Sequence, residues 1–527
     1  MNQLGATDIR VAVRRVKDAL PFAALFRGSL VTRFLNRLGS WALNAKQKMF
    51  NAGRGERPSS PTLASPTLAL RWICDREAGG VSVEAGALAP RSVSGDAIGT
   101  LLDYGEGGTA DVIRVRLLRE QRVDGSFRAS KGESSAELDT AQALRGLLHF
   151  SEDPPSRLAA ERSLGYLRSR LETVLREGSG EFHFCTISTF SRAAEVLHQP
   201  DFAGLAGEAL DLELDEANPR HKASAVKRTL PCELHALLQL NRPADAKSRL
   251  RSLASLQKTG GEVSAGRGRN LMLTSAMAEL AICWYKTGDP ENGDRVLDWM
   301  EKHQEPSGGF RSRYGRQVGT QDHSEDAEAA RLYLDANRLR VVAFMDRHDE
   351  IIPASVASDD GRLLSLLKLT HSGDRIVEVG CGKGRFLKGI LDAHPGTHCT
   401  GVDISTRFLR QLPPPIQPIE GSLERIPCSE GSFDFVFSVE AIEHSANISA
   451  CVRELTRIAH VGGLIAIIDK QQNQWGKLIC PPWERWPRAE YVKDLLERGC
   501  DDVTVEPVGY DGHPADGLML LWTGRKR

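Results

Sequence analysis

The chain is 527 residues long, more than one hydrophobic core organises, so two or three domains are expected. Its 68 Lys and Arg against 69 Asp and Glu leave a formal charge of -1, which gives no electrostatic reason to expect a nucleic-acid partner. Ten cysteines without CxxC pairs or a secretory leader point to unpaired thiols in a reducing cytoplasm, and no run approaches the ~18 to 20 apolar residues of a membrane span.

Residues 1–50 carry Arg10, Arg14, Arg15, Lys17, Arg27, Arg33, Arg37, Lys46 and Lys48 against only Asp8 and Asp18, interleaved with apolar positions such as Leu20, Phe22, Phe26, Leu30, Phe34 and Trp41. This is a basic amphipathic helical segment. Residues 8–48 fit either a peripheral contact at the inner face of an anionic membrane or an apolar stripe docked on the protein itself. Residues 51–67, with glycine, serine and three prolines, read as a flexible linker.

From 68 to 345 a weak repeat emerges. Gln121-x3-Gly125-x-Phe127, Gln257-x3-Gly261-x-Val263 and Gln304-x3-Gly308-x-Phe310 share one pattern, with looser copies at Gly79-Gly80-Val81 and Gly180-Glu181-Phe182. The intervals are roughly 45 to 55 residues or a multiple, and helical patterns such as 135–144 and 324–332 lie between them, so one unit is a loop plus two helices. Five or six such units would close a ring. The segment resembles the all-α α/α-toroid, a helical repeat barrel, of the terpene cyclase and protein prenyltransferase superfamily. The chemistry of those relatives is missing: there is no DxDD or DDxxD motif, and Cys232-x2-His235 lacks the remaining ligands of a zinc site, so no metal is expected. Glu137, Asp139, Asp322, His323 and Asp326 near helix starts either face the central cavity or cap their helices. The resemblance therefore implies a binding or scaffold domain.

Residues 350–527 carry the sharpest signal. The run Ile376-Val377-Glu378-Val379-Gly380-Cys381-Gly382-Lys383-Gly384 is a β-branched strand ending in a glycine-rich turn, and Gly401-Val402-Asp403-Ile404 closes a second strand in an acid. Glycine at 380, 382 and 384 lets the backbone turn sharply and approach a ligand. Asp403, about 20 residues on, is placed to accept from a ribose diol. The spacing is GxGxG rather than the GxGxxG of a pyrophosphate site, and Glu378 suits a ligand bearing a cationic amino group, as S-adenosyl-L-methionine does.

Downstream come Gly421-Ser422-Leu423, the strand Phe433-Asp434-Phe435-Val436-Phe437-Ser438 with Glu440 and the Glu443-His444 pair, and Val461-Gly462-Gly463 before another apolar run. With these four ordered motifs, residues 350–527 resemble the class I S-adenosylmethionine-dependent methyltransferases, an α/β Rossmann-like fold with a seven-stranded sheet. The resemblance implies that Glu378, Gly380, Gly382 and Gly384 meet the methionine end of the cofactor and Asp403 the ribose. It assigns Ser422 and Leu423 to the adenine edge and Glu440 to the far wall, with Cys381 and Ile404 as further cofactor-binding residues. Ser422 stands where many such enzymes have Asp, and Val461 where proline is usual.

Methyl transfer demands positioning, desolvation and, for a weakly acidic acceptor, a base. His444, just past the fourth strand on the acceptor side, is the candidate for that base, against a role in shaping the pocket only. The segments 470–477 and 481–487 bring polar amides and Trp475, Trp483 and Trp486 after the next strand, as an acceptor-side lid or as a rigid packed connection. The expected function is methyl transfer to a small molecule, a glycan or a lipid-linked cell-envelope intermediate in a bacterial-type cytoplasm. The alternatives are a bifunctional enzyme whose toroid adds a cyclase, lyase or hydrolase step, and a non-enzymatic scaffold.

Overall fold

The computed structural model describes residues 65–78, 94–127, 136–177, 183–214, 230–264, 273–312, 314, 326–478, 480–481 and 483–527. The basic segment at 1–50, Asp322, His323 and the two looser repeat copies lie outside the described residues. The linker expected to reach 67 is overtaken by a helix that begins at Ser65, with Pro66 in its first turn, where a missing N–H costs nothing.

The N-terminal region is helical. It contains α1 (Ser65–Ala78), α2 (Ser94–Asp103), α3 (Gly107–Glu120), α4 (Ala136–Leu148), α5 (Pro154–Glu177) and α6 (Phe184–Val196). It continues with α7 (Asp201–Leu214), α8 (Leu230–Gln239), α9 (Pro243–Ala254), α10 (Thr274–Thr287), α11 (Pro290–Lys302) and α12 (Ala327–Arg347). Even-numbered helices pack in succession, α2 on α4, α4 on α6, α6 on α8, α8 on α10 and α10 on α12. The last of them returns to pack on α1 and α2. Odd-numbered helices lie against these: α3 on α2, α5 on α4, α7 on α6, α9 on α8 and α11 on α10. Burial follows the same division. In α10 nearly every position from Ala276 to Tyr285 is buried, whereas α11 buries only Asn292, Gly293, Val296, Leu297, Trp299 and Met300, the stripe of a helix with one wet face.

The repeated Gln-x3-Gly turn ties these helices together. Gln121 donates through Nε2 to the carbonyls of Gly125 (3.3 Å) and Ala159 (2.7 Å), and Gln257 to those of Gly261 (3.2 Å) and Asn292 (3.0 Å). Gln304 donates to the carbonyl of Gly308 at 2.8 Å. The glycines have φ of 86°, 103° and 100°, and a Cβ on each would overlap the carbonyl oxygen of Arg162 in α5, Arg295 in α11 and Leu68 in α1 respectively. Each turn thus abuts a neighbouring odd-numbered helix, and the last abuts the first helix of the region. The apolar residue two places on, Phe127, Val263 or Phe310, is buried in the shared core.

The C-terminal region is a seven-stranded sheet in the order β3-β2-β1-β4-β5-β7-β6. Its strands are β1 (Arg375–Val379), β2 (His398–Asp403), β3 (Gln417–Glu420), β4 (Phe433–Val439), β5 (Ala459–Lys470), β6 (Cys500–Val508) and β7 (Met519–Lys526). Strands β1 to β5 pair in parallel, while β7 is antiparallel to both β5 and β6. Helices α13 (Gly361–Leu369), α14 (Arg385–Ala393), α15 (Thr406–Leu409), α16 (Ile448–Ile458) and α17 (Ala489–Glu497) accompany it, and separate apolar clusters cover the two faces. The strand order reverses between β1 and β4. Chain connections diverge there, and in open α/β sheets such a switch point is where a ligand crevice forms at the carboxyl ends of the parallel strands.

The two regions meet closely, within the compact unit that runs from Pro61 to Arg527. Thr67 Oγ1 donates to the Ala446 carbonyl at 2.9 Å, and Asn447 Nδ2 donates to the Tyr104 carbonyl at 2.9 Å. Phe344 of α12 sits edge-on to Trp483 at 5.0 Å, and the Arg340 guanidinium lies 5.1 Å from the same indole. No helix among the described residues is long and apolar enough to cross a membrane. All ten cysteines are free.

Gly308→Ala tests the turn that abuts α1. With φ at 100° and the Leu68 carbonyl in the way, the strain should cost about 1 to 3 kcal/mol, read as a lower urea midpoint. An unchanged midpoint would remove this turn from the account of the fold.

Candidate functional site

The glycine-rich loop leaves β1 at the point where the strand order reverses. Gly380 and Cys381 both donate their N–H to the carbonyl of Val402, at 2.8 and 3.0 Å, which pins the loop to the end of β2. Gly380 has φ of 80°, and a Cβ there would overlap that of Ala441, so the close approach of β4 requires glycine. Asp403 completes the link. One carboxylate oxygen accepts the Gly382 N–H at 2.8 Å and the other the Ser405 N–H at 2.8 Å, which leaves a lone pair on each for a ligand. Burial raises the Asp403 pKa, opposed by these backbone hydrogen bonds.

The remaining expected residues gather along the same rim. Glu378 lies in β1, paired in register with Gly401 of β2 and Phe437 of β4, and is 2 % exposed. Burial pushes its carboxyl well above the ordinary value, the nearby Arg385 opposing, and its Oε2 has no hydrogen-bond partner among the described residues. Ile404 follows Asp403 directly, and the Gly421 N–H reaches the Asp403 carbonyl at 3.0 Å, which brings Ser422 and Leu423 beside the end of β2. Cys381 differs from the others. Its thiol belongs to the apolar cluster beneath the loop, so only its backbone is left for a ligand.

Glu440 sits just past β4 with φ of 51° and its carboxylate is already engaged. Arg385 donates to it at 2.8 Å and Arg362 donates to the same oxygen. Arg362 is fully buried and also holds Asp360 at 2.8 Å and Asp511 at 2.6 Å. Burial pushes the Glu440 pKa up, but the two guanidiniums outweigh it and hold it at about 2. Glu440 therefore presents a fixed anion whose position is set by α13 and α14.

Past the end of β4 a second polar cluster is buried. Glu443 and His444 lie in a short 3₁₀ turn, Ile442–His444, after β4, and Lys470 ends β5. Lys470 Nζ donates to Glu443 Oε1, and the Glu443 Oε2 and His444 Nδ1 have no partner among the described residues. Glu484 accepts the Trp486 Nε1–H at 3.0 Å, and burial, reinforced by Glu443, raises its pKa to about 8. Burial also pulls the His444 imidazole below its ordinary value, against the Glu443 carboxylate. Of the three tryptophans, Trp483 and Trp486 are buried in the protein, and Trp486 meets Trp475 edge-on at 5.1 Å. That burial matches the packed connection more closely than a lid gripping a ligand.

In the helical region the expected acids separate. Asp326 caps α12, accepting the N–H groups of Glu328 (3.0 Å) and Ala329 (3.3 Å). Glu137 accepts the His183 N–H at 3.3 Å, and Asp139 is buried beside it in α4. Cys232 and His235 both turn to Glu279, at 3.5 and 3.3 Å. Neither the Glu443–Lys470–Glu484 cluster nor the Arg362–Glu440 pair was read from the sequence. The spacing of Glu443 and Glu484 carries no periodic signal.

Residues 377–467 match the family model described as a methyltransferase domain. Among curated proteins the chain is 27% identical over 149 residues to malonyl-[acyl-carrier protein] O-methyltransferase of Pectobacterium atrosepticum, covering 28% of this chain and 57% of that protein. It is 27% identical over 195 residues to 2-methyl-6-phytyl-1,4-hydroquinone methyltransferase 1 of Oryza sativa, covering 34% and 59%. It is 32% identical over 136 residues to ubiquinone biosynthesis O-methyltransferase of Paracidovorax citrulli, covering 24% and 54%. The chain thus spans a little over half the length of these relatives. The C-terminal region of the chain, with residues 377–467 at its centre, is an S-adenosylmethionine-dependent methyltransferase domain.

Proposed function

We propose that the whole chain transfers a methyl group from S-adenosylmethionine to an oxygen of a small-molecule acceptor. The observation that carries this reading is Asp403, whose two oxygens hold the Gly382 N–H of the glycine loop and the Ser405 N–H of the turn after β2 at the end of the sheet where a ribose would lie. When bound, the cofactor supplies an electrophilic methyl on a sulfonium. Its fit here rests on the glycine turn, which leaves room against Ala441, and on the buried Glu378 Oε2 that lacks a partner among the described residues and suits an ammonium group. Glu378, Gly380, Cys381, Gly382 and Gly384 would line the methionine end, Asp403 and Ile404 the ribose, Ser422 and Leu423 the adenine, with Glu440 as the fixed far wall.

Orientation does most of the catalytic work. The acceptor oxygen is brought to the end of β4, and its proton is lost to the Glu443–His444–Glu484 cluster, where His444 is the expected base. With S-adenosylmethionine held by Glu378, the glycine loop and Asp403, the C–O bond would form as the C–S bond broke, leaving S-adenosylhomocysteine. The choice of oxygen follows two of the relatives, which are named O-methyltransferases.

The helical region we read as an α/α-toroid that holds the acceptor. Its support is the succession of even-numbered helices from α2 to α12 and the return of α12 to α1 and α2. A glycan or lipid-linked acceptor and a membrane-surface role for residues 8–48 remain part of this proposal.

Calorimetric titration with S-adenosylhomocysteine tests the cofactor site. Asp403→Ala should weaken binding by about 1.5 to 3 kcal/mol, more than tenfold, as expected for a charged hydrogen bond; equal affinity in both proteins would refute the ribose assignment. Asp326→Ala separates this reading from a second activity in the ring. Loss of a cap should lower stability by about 1 kcal/mol in thermal melts while methyl transfer per folded molecule stays the same. A product that disappears with the cap variant would favour a catalytic ring.

A further inference from the structure

We infer that Glu443, His444 and Glu484 bind a divalent first-row transition-metal ion on the acceptor side of the site. Each offers one ligand atom, and the three atoms lie within 4.8 Å of one another. Two come from the 3₁₀ turn after β4 and the third from the bend after β5, so the cluster sits where the two strands deliver the acceptor.

A second observation is independent of that spacing. Glu443 is 1% exposed, yet its Oε2 has no hydrogen-bond partner among the described residues, and neither has the buried Nδ1 of His444. An unmet polar atom in a dry site is costly unless a ligand meets it. Two of them in adjacent residues, beside a third buried carboxylate, are what a ligand set looks like without its ion.

The surroundings orient the donors. Lys470 holds Glu443 through Oε1, which leaves Oε2 for an ion, and Trp486 with the Cys480 thiol orients Glu484. Such outer contacts set the direction of metal ligands. An imidazole with two carboxylates is a mixed N/O set that suits Zn²⁺, Co²⁺, Mn²⁺ or Fe²⁺ better than Ca²⁺. Three protein ligands also leave coordination positions open, the mark of a catalytic rather than a structural site.

Charge gives the open position a purpose. With Asp469 kept protonated by burial, ionised Glu443 and Glu484 and the Lys470 ammonium sum to one negative charge, and a divalent ion, which displaces the proton that burial keeps on Glu484, turns this to one positive. A deprotonated acceptor oxygen bound to the ion brings the cluster to neutrality. The ion would thus lower the pKa of an acceptor hydroxyl, whose proton leaves to water, and hold the oxygen for methyl transfer. This role, though not the binding itself, rests on the methyl-transfer reading. His444 then serves as a ligand instead of a base.

The test uses the full chain stripped of metal by a chelator and titrated with Co²⁺, followed by its visible absorption and by elemental analysis after dialysis. One ion per chain is expected, with affinity at least tenfold lower in Glu484→Gln and His444→Gln, both checked for folding by circular dichroism. No cobalt spectrum and no retained metal in the unmodified protein would overturn the site, whether or not the variants fold. Cobalt held equally by both folded variants would also overturn it. Titration of the same metal-free protein with S-adenosylhomocysteine keeps the two readings apart: heat without cobalt binding removes the metal alone, and cobalt binding without heat removes the methyl donor alone.

Discussion

The carboxylate of Asp403 is the hinge pin of the methyltransferase region. By holding Gly382 with one oxygen and Ser405 with the other, it fastens the loop after β1 to the turn after β2. The glycines give the loop its path, but glycine alone leaves the backbone free. Without that double contact the loop would lose its distance from β4, and the placement of Ala441, Glu440 and the turn that follows would lose its reference. A charged acceptor held by backbone donors is a strong restraint, and here it costs burial of the acid.

Local geometry explains what was legible in the sequence. The run from Glu378 to Gly384, then Asp403, imposes its shape through adjacent residues, so type and spacing sufficed to place them on one rim. The Gln-x3-Gly turn was legible for the same reason: the glutamine closes on a carbonyl four residues away, and the glycine meets a neighbouring helix. The polar cluster around Lys470 was not legible. Apart from the adjacent Glu443 and His444, its members stand 14 to 41 residues apart along the chain, and their meeting depends on β4 and β5 lying side by side. Arg362 and Glu440 are 78 residues apart and join for an equally non-local reason. The acids at helix starts were ambiguous because a capping group and a cavity-facing group are the same residue type at the same position. Asp326 proved to be the cap.

The two regions share more than a seam. The turn at Tyr104 and Gly105 is held by Asn447 and Arg453 of the segment that follows β4, and Arg425 pairs with Asp103 at 3.5 Å. The elements that carry Glu443 and His444 are therefore braced by the helical region as well as by the sheet. A ligand held between α2 and α12 would lie close in the chain to the contacts that set the acceptor side.

Helix α12 gives this bracing a direction. Its 21 residues, about 30 Å of unbroken helix, begin at the Asp326 cap among the packed helices and end where Asp346 accepts the Ser405 hydroxyl at 2.7 Å. Ser405 is the residue whose N–H fills one side of Asp403. Just beyond, the Asp349 carbonyl accepts from Lys383 at 2.7 Å, inside the glycine loop. One helix thus packs among the helices at its head and meets Ser405 at its foot, and the turn that follows it meets Lys383. The packed helices at its head and the ends of β1 and β2 at its foot are thereby referenced to one helix axis.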